Sequence, residues 1–257
     1  MREAFVFGVV ASSGLVIGSA VGIRVRLPER VLALLLAFAS GALISALAFE
    51  LFEDAHEKSG AWIASLAFVA GAAVFIAISS WLDRRGGNVR PDRDGKFEKE
   101  VAADDARERG GASASAGAGW ALLAAVTLDG VPENTALGVS LTGEGGSLAL
   151  LLAIFASNFP EALVGSAAME KGGRTGRSIL IIWIAAAILL AAAVVAGEAL
   201  IPQTEPHAIS VPLAFAGGAV IASLADTLMP EAFEGGGPTV AFGTVAGFLL
   251  SYLLTTV

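Results

Sequence analysis

Two short stretches carry acids and prolines inside segments that are otherwise apolar and long enough to cross a bilayer: "AAVTLDGVPENTALGVSL" and "AIFASNFPEALVGSAA". In the first, Asp129 and Glu133 are four residues apart, so they lie one above the other on a helical face about halfway along the segment. Pro132 stands between them. It has no N–H to give, which leaves the Leu128 carbonyl without its helical partner and loosens the helix beside the two acids. In the second stretch Ser157, Asn158, Phe159, Pro160 and Glu161 align with Asp129, Gly130, Val131, Pro132 and Glu133. A carboxylate at the bilayer centre costs roughly 2.5–3.5 kcal/mol on insertion scales, which makes an intramembrane acid a functional-site expectation by default. Carboxylates joined by amide and hydroxyl oxygens make an oxygen-rich cage, and such a cage needs a cation to be stable in lipid. Simpler readings are that protons neutralise the acids, or that the acids bond backbone groups and hold a bundle together. Three acids with paired prolines count against both.

The elements that would hold these residues follow from composition. The chain has 257 residues, 55% of them apolar, and a mean hydropathy of +0.74, with charge confined to short windows. That is the pattern of an integral membrane protein. The start of the chain shows no evident cleavable signal, with only Arg2 and Glu3 ahead of the first apolar run. With no cysteine, disulfides and thiolate ligands are excluded. A hydrocarbon core of about 30 Å takes roughly 20 apolar residues per helix. Eight segments meet that measure: 4–23, 31–53, 61–82, 119–141, 147–169, 179–200, 210–231 and 238–256. A strand barrel is excluded by the length of the runs and their lack of alternation. The expected fold is therefore all-α, a single transmembrane domain of eight helices.

Basic residues set the expected sidedness. The first, third and fifth loops hold fourteen of the sixteen lysines and arginines, among them Arg24, Arg30, Arg84, Arg93, Lys171 and Arg177. This places those loops in the cytoplasm and both termini outside it. The third loop, 83–118, mixes eight basic with eight acidic residues and ends in "GGASASAGAG", the composition of a flexible cytoplasmic linker. The second and seventh segments, "AFASGALISALAFELFEDAHEKSG" and "AFAGGAVIASLADTLMPEAFEGGG", share twelve identities in 24 positions without a gap. Because they run in opposite directions, the reading is an inverted repeat, helices 1–3 against 6–8 around a central pair, 4 and 5. Such repeats are a signature of secondary transporters with a midplane site. Shared small-residue packing is the plainer alternative.

Further acids mark the two ends of a path. Glu50, with Glu53 and Asp54, lies toward the outer end of the second helix, and Asp226, Glu231 and Glu234 lie toward the inner end of the seventh. Glu50, Asp226 and Glu231 are the pathway candidates. His56 and His207 both fall in outer loops and read as surface residues.

At these residues the chain resembles the ZIP (Zrt/Irt-like protein) family, membrane carriers that bring divalent metals into the cytoplasm. The resemblance covers nearly the whole chain: eight spans, outward termini, a variable third loop, Pro-Glu motifs in helices 4 and 5, and the "LMPEA" end of helix 7. It implies a metal site at Asp129, Glu133, Ser157 and Glu161, with Asn158 kept from an adjacent second site whose partner position is Gly130. The family's usual histidine is replaced by Asp129, and the third loop lacks histidines. Zinc binds imidazole and thiolate readily, whereas harder ions prefer carboxylate, carbonyl and water, so manganese or ferrous iron become stronger candidates beside zinc, with cadmium as a further one.

The expected activity is transport, with no enzymatic step. A divalent cation enters past Glu50, binds between helices 4 and 5 and leaves past Asp226 by alternating access. The resemblance implies that helices 1, 4, 5 and 6 move against 2, 3, 7 and 8. Expected partners are the metal ion and the lipid bilayer of the cell membrane, with no nucleic acid; a homodimer is left open. Three rivals stand beside this: an intramembrane protease using Asp129 and Asp226, a metal-binding membrane protein that does not transport, and a transporter of another substrate.

Overall fold

The computed structural model describes residues 1–25, 27–86, 127–128, 130–142, 148–171, 173–200 and 206–256. Among them the regular structure is helical throughout and there is no strand, as the long apolar runs require. The α-helices are α1 (Arg2–Gly22), α2 (Glu29–Ala46), α3 (Glu53–Ser59), α4 (Ala61–Gly86), α5 (130–140), α6 (Leu148–Lys171), α7 (Gly176–Leu200), α8 (Pro206–Asp226), α9 (Leu228–Gly236) and α10 (Val240–Thr255). Among the described residues six stretches are long and apolar enough to cross a membrane, and the last, Ala208–Thr255, takes in most of α8 and all of α10. On α4, Trp62 and Trp81 are exposed. Their separation along the helix is about 28 Å at ~1.5 Å per residue, close to the hydrocarbon thickness, and aromatic rings favour both membrane interfaces.

Local chemistry ends the helices. Beyond α1, the Arg24 guanidinium donates to the Ala20 carbonyl at 2.9 Å, a cation on the negative end of the helix. Pro28 stands just before α2, where its missing N–H costs nothing. After α6, Gly173 has φ 83°, and its N–H bonds Glu170 O while the Arg174 N–H bonds Met169 O. The left-handed conformation there is one only glycine adopts readily.

Two expected spans are less regular than a single helix. The second, expected at 31–53, passes from α2 through a π-helical turn, Leu47–Phe52, into α3. The seventh, expected at 210–231, stops at Asp226: Pro230 has no N–H for the Asp226 carbonyl, so the helix breaks at Thr227 (φ −122°, ψ −74°) and resumes as α9. Of the fourth, expected at 119–141, residues 119–126 and Asp129 lie outside the described residues. So does the loop 83–118, apart from 83–86, which continue α4.

Close contacts give the helix directions. Gly14 and Gly22 of α1 face Phe155 O and Leu163 O of α6, so these two run parallel. Gly130 and Gly138 of α5 face Leu190 and Val194 of α7, again parallel, while α1 is antiparallel to α7 through Gly8 against Ala191 and Ile23 against Gly176. On the other side, α2 runs parallel to α10, through Gly243 against Leu34 O and Gly247 against Phe38 O, and α4 parallel to α8, through Phe68 against Gly218 and Ser79 against Asp226. A Cβ on Gly41 would overlap Thr244 O, and one on Gly247 would overlap Phe38 O. Between α4 and α8 the same pattern recurs, with Gly218 against Phe68 O and Gly71 against Phe215 O. Only glycine lets backbones meet this closely, as small residues do in membrane bundles. Two groups result. One holds α1, α5, α6 and α7; the other holds α2, α4, α8 and α10 with the short α3 and α9. They meet chiefly along α6, which packs on α2 and α10.

Candidate cation site

In the first group the buried apolar side chains form two clusters. Leu15 of α1, Ala162 of α6 and Leu190 of α7 belong to one, with Val131 of α5 packed against it. Ala11 of α1, Ala136 of α5, Ile154 of α6 and Val194 of α7 belong to the other. On each of the four helices the change of cluster falls across one short interval. On three of them that interval is polar: Ser12 on α1, Glu133 and Asn134 on α5, and Ser157, Asn158 and Glu161 on α6. On α7 it is Ala191, Ala192 and Ala193. Glu133 is 8% exposed, Asn134 0%, Ser157 2% and Asn158 1%, and Glu161 is half-buried. Polar groups this far from water must bond one another, the backbone or an ion.

The bonds in this layer are specific. Ser157 Oγ donates to Ile154 O at 2.9 Å. Asn158 Nδ2 donates to Ala11 O at 3.0 Å, which ties α6 to α1 at the height where Gly14 brings the two helices together. Asn134 Nδ2 donates to Gly130 O at 2.8 Å. Because a carbonyl can only accept, each of these bonds fixes which end of the amide is nitrogen and leaves the oxygen as the remaining group. Among the described residues Asn134 Oδ1 has no hydrogen-bond partner. An unmet buried acceptor of this kind costs about 1–3 kcal/mol. Pro160 lies inside α6, so the Ala156 carbonyl loses its helical N–H as the Leu128 carbonyl does at Pro132. The layer is thus rich in oxygens, the polarity suited to a cation.

Of the residues picked from sequence, Glu133, Ser157, Asn158 and Glu161 fall in the intervals between the two clusters, whereas Asp129 lies outside the described residues. The three pathway candidates belong to the other group. Glu50 is half-buried on the π-helical turn. Asp226 accepts a hydrogen bond from Ser79 of α4 at 3.1 Å on the α4–α8 seam. Glu231 is half-buried on α9, which packs on α2. His56 is exposed on α3, and no group of three His, Cys, Asp or Glu side chains is placed to hold a metal ion among the described residues. Sequence reading passed over Asn134 and Ser12. The signal for Asn134 was present, a second polar residue directly after the Pro-Glu pair, but Ser12 had none beyond its hydroxyl. No protein-family model matches the chain, and no curated protein matches it.

Proposed function

We propose that this chain is a carrier of the ZIP type that moves a divalent cation (zinc, manganese or iron) into the cytoplasm by alternating access. The observation that carries this reading is the polar layer containing Glu133, buried between two apolar clusters in one helix group. A carboxylate at that depth is costly, and a cation bound there offsets the cost.

The proposed architecture is eight crossings arranged as an inverted repeat, both termini outside. Two sets of contacts support it. Phe38 and Gly41 of α2 meet Gly247 and Thr244 of α10, and their sequence counterparts Phe215 and Gly218 of α8 meet Gly71 and Phe68 of α4. Likewise Gly22 of α1 meets Leu163 O, and Gly197 of α7 meets Thr135 O, two residues after the glutamate of each Pro-Glu motif. A two-fold relation that exchanges the halves accounts for all four pairs. The division into two groups meeting along α6 supplies the two bodies that alternating access requires. Glu50, Asp226 and Glu231 are proposed to draw ions toward and away from the layer.

Counterflow tests the carrier reading against that of a static metal-binding protein. Liposomes containing the protein and loaded with unlabelled manganese should transiently concentrate external radiolabelled manganese. If the protein binds manganese yet gives no counterflow, the carrier reading is wrong.

A further inference from the structure

We infer that Asn134 Oδ1 is a direct ligand of the transported cation, and that with it the site favours manganese over zinc. This rests on the carrier reading above.

The first support is polarity. The Asn134 amide is fully buried, its nitrogen is bonded to Gly130 O, and its oxygen has no hydrogen-bond partner among the described residues. A buried serine hydroxyl in the same condition, such as that of Ser12, can turn onto a carbonyl of its own helix, as Ser157 and Ser40 do. An amide oxygen cannot, because helix carbonyls do not donate and interior helix N–H groups are already used. The second support is position. Asn134 lies on the α5 stripe between Gly130 and Gly138, which face the apolar Leu190 and Val194 of α7. Neither of those two side chains carries a donor that could satisfy the oxygen. The third is neighbourhood. Asn134 follows Glu133 directly, about 100° around the helix, inside the layer bounded by Val131 and Ala136. A carboxylate and an outward amide oxygen side by side, with no acidic hydrogen between them, are complementary to a cation.

Ligand chemistry then sets the preference. The layer offers carboxylate, amide and hydroxyl oxygens, and the chain has two histidines and no cysteine. His56 is exposed on α3, and His207 begins α8, in the other helix group. Oxygen-only sites suit manganese and similar hard ions, whereas zinc gains most from imidazole and thiolate.

The test is equilibrium binding of manganese and zinc to the purified full chain, wild type against Asn134→Ala, Asn134→Asp and Asn134→His, with Glu133→Gln and Glu161→Gln as references. Manganese should bind wild type more tightly than zinc. Asn134→Ala should weaken manganese by about tenfold, Asn134→Asp should hold or tighten it, and Asn134→His should raise the zinc-to-manganese affinity ratio by about tenfold or more. A merely structural amide would not move that ratio. If Asn134→Ala fails to fold, Asn134→Asp and Asn134→His carry the test. Should the Asn134 variants leave both affinities and their ratio unchanged while Glu133→Gln and Glu161→Gln abolish binding, Asn134 is no ligand and the carrier reading stands. Binding that survives both glutamate changes overturns the two together. Zinc binding more tightly than manganese in wild type overturns the preference.

Discussion

Replacing Glu133 by glutamine separates the cost of the site from its use. Glu133 is 8% exposed, between the apolar cluster containing Leu15 and Leu190 and the one containing Ala11 and Ile154. An ionised carboxylate at mid-membrane costs about 2.5–3.5 kcal/mol, and the amide removes the charge while keeping the shape. In a chain of this size each kcal/mol moves the melting temperature by about 2–4 °C. Metal-free Glu133→Gln should therefore melt roughly 5–14 °C above metal-free wild type, scaling those two ranges together. Adding manganese at about a hundred times its Kd should stabilise wild type by ~2.7 kcal/mol, which closes most of that gap, and should leave the variant unmoved. The assay is thermal unfolding in detergent, each protein with and without metal. The reasoning is refuted if Glu133→Gln melts below wild type without metal, or if it keeps the full metal-induced shift.

Other changes follow from the packing. Gly218→Ala and Gly247→Ala each force a Cβ onto a carbonyl oxygen of the facing helix and should cost about 1–3 kcal/mol; an unchanged melting temperature would mean that the backbones do not approach so closely. Asn158→Leu removes the side-chain bond to Ala11 O, a carbonyl that also accepts a backbone N–H within α1, and should cost about 0.5–1.5 kcal/mol, seen as faster hydrogen exchange in the middle of α1. Unaltered protection there would contradict the role given to that bond. Since the chain has no cysteine, His56→Cys and Arg177→Cys, both at exposed positions, report sidedness directly. An impermeant maleimide should label His56→Cys in intact cells and Arg177→Cys only after permeabilisation, and the reverse order would invert the topology.

Apolar run length and Pro/Gly punctuation made most of the helices readable in the sequence. The paired Pro-Glu motifs also pointed to the intervals between the two apolar clusters that hold Glu133, Ser157, Asn158 and Glu161. What escaped was set by contacts between helices. The π-helical turn at Leu47–Phe52 has no proline or glycine to announce it; Phe49 within it packs on Phe248 and Tyr252 of α10, with ring centroids 6.1 and 5.1 Å apart. The break at Thr227 was announced by Pro230, yet the apolar count ran through it. That the amide nitrogen of Asn158 is bound to a carbonyl of α1, far away in sequence, could not be read from its motif. Asn134 was passed over, since neither its full burial nor its unmet oxygen can be read from the motif.

Transport through the Glu133 layer is tested most directly by initial uptake of manganese, iron, zinc and cadmium into proteoliposomes, comparing wild type with Glu133→Ala and Glu161→Ala. The account predicts uptake by wild type, fastest for manganese, and none by either variant at equal amounts of folded protein. Uptake that persists in both variants, or wild-type protein that moves no divalent ion, would contradict it.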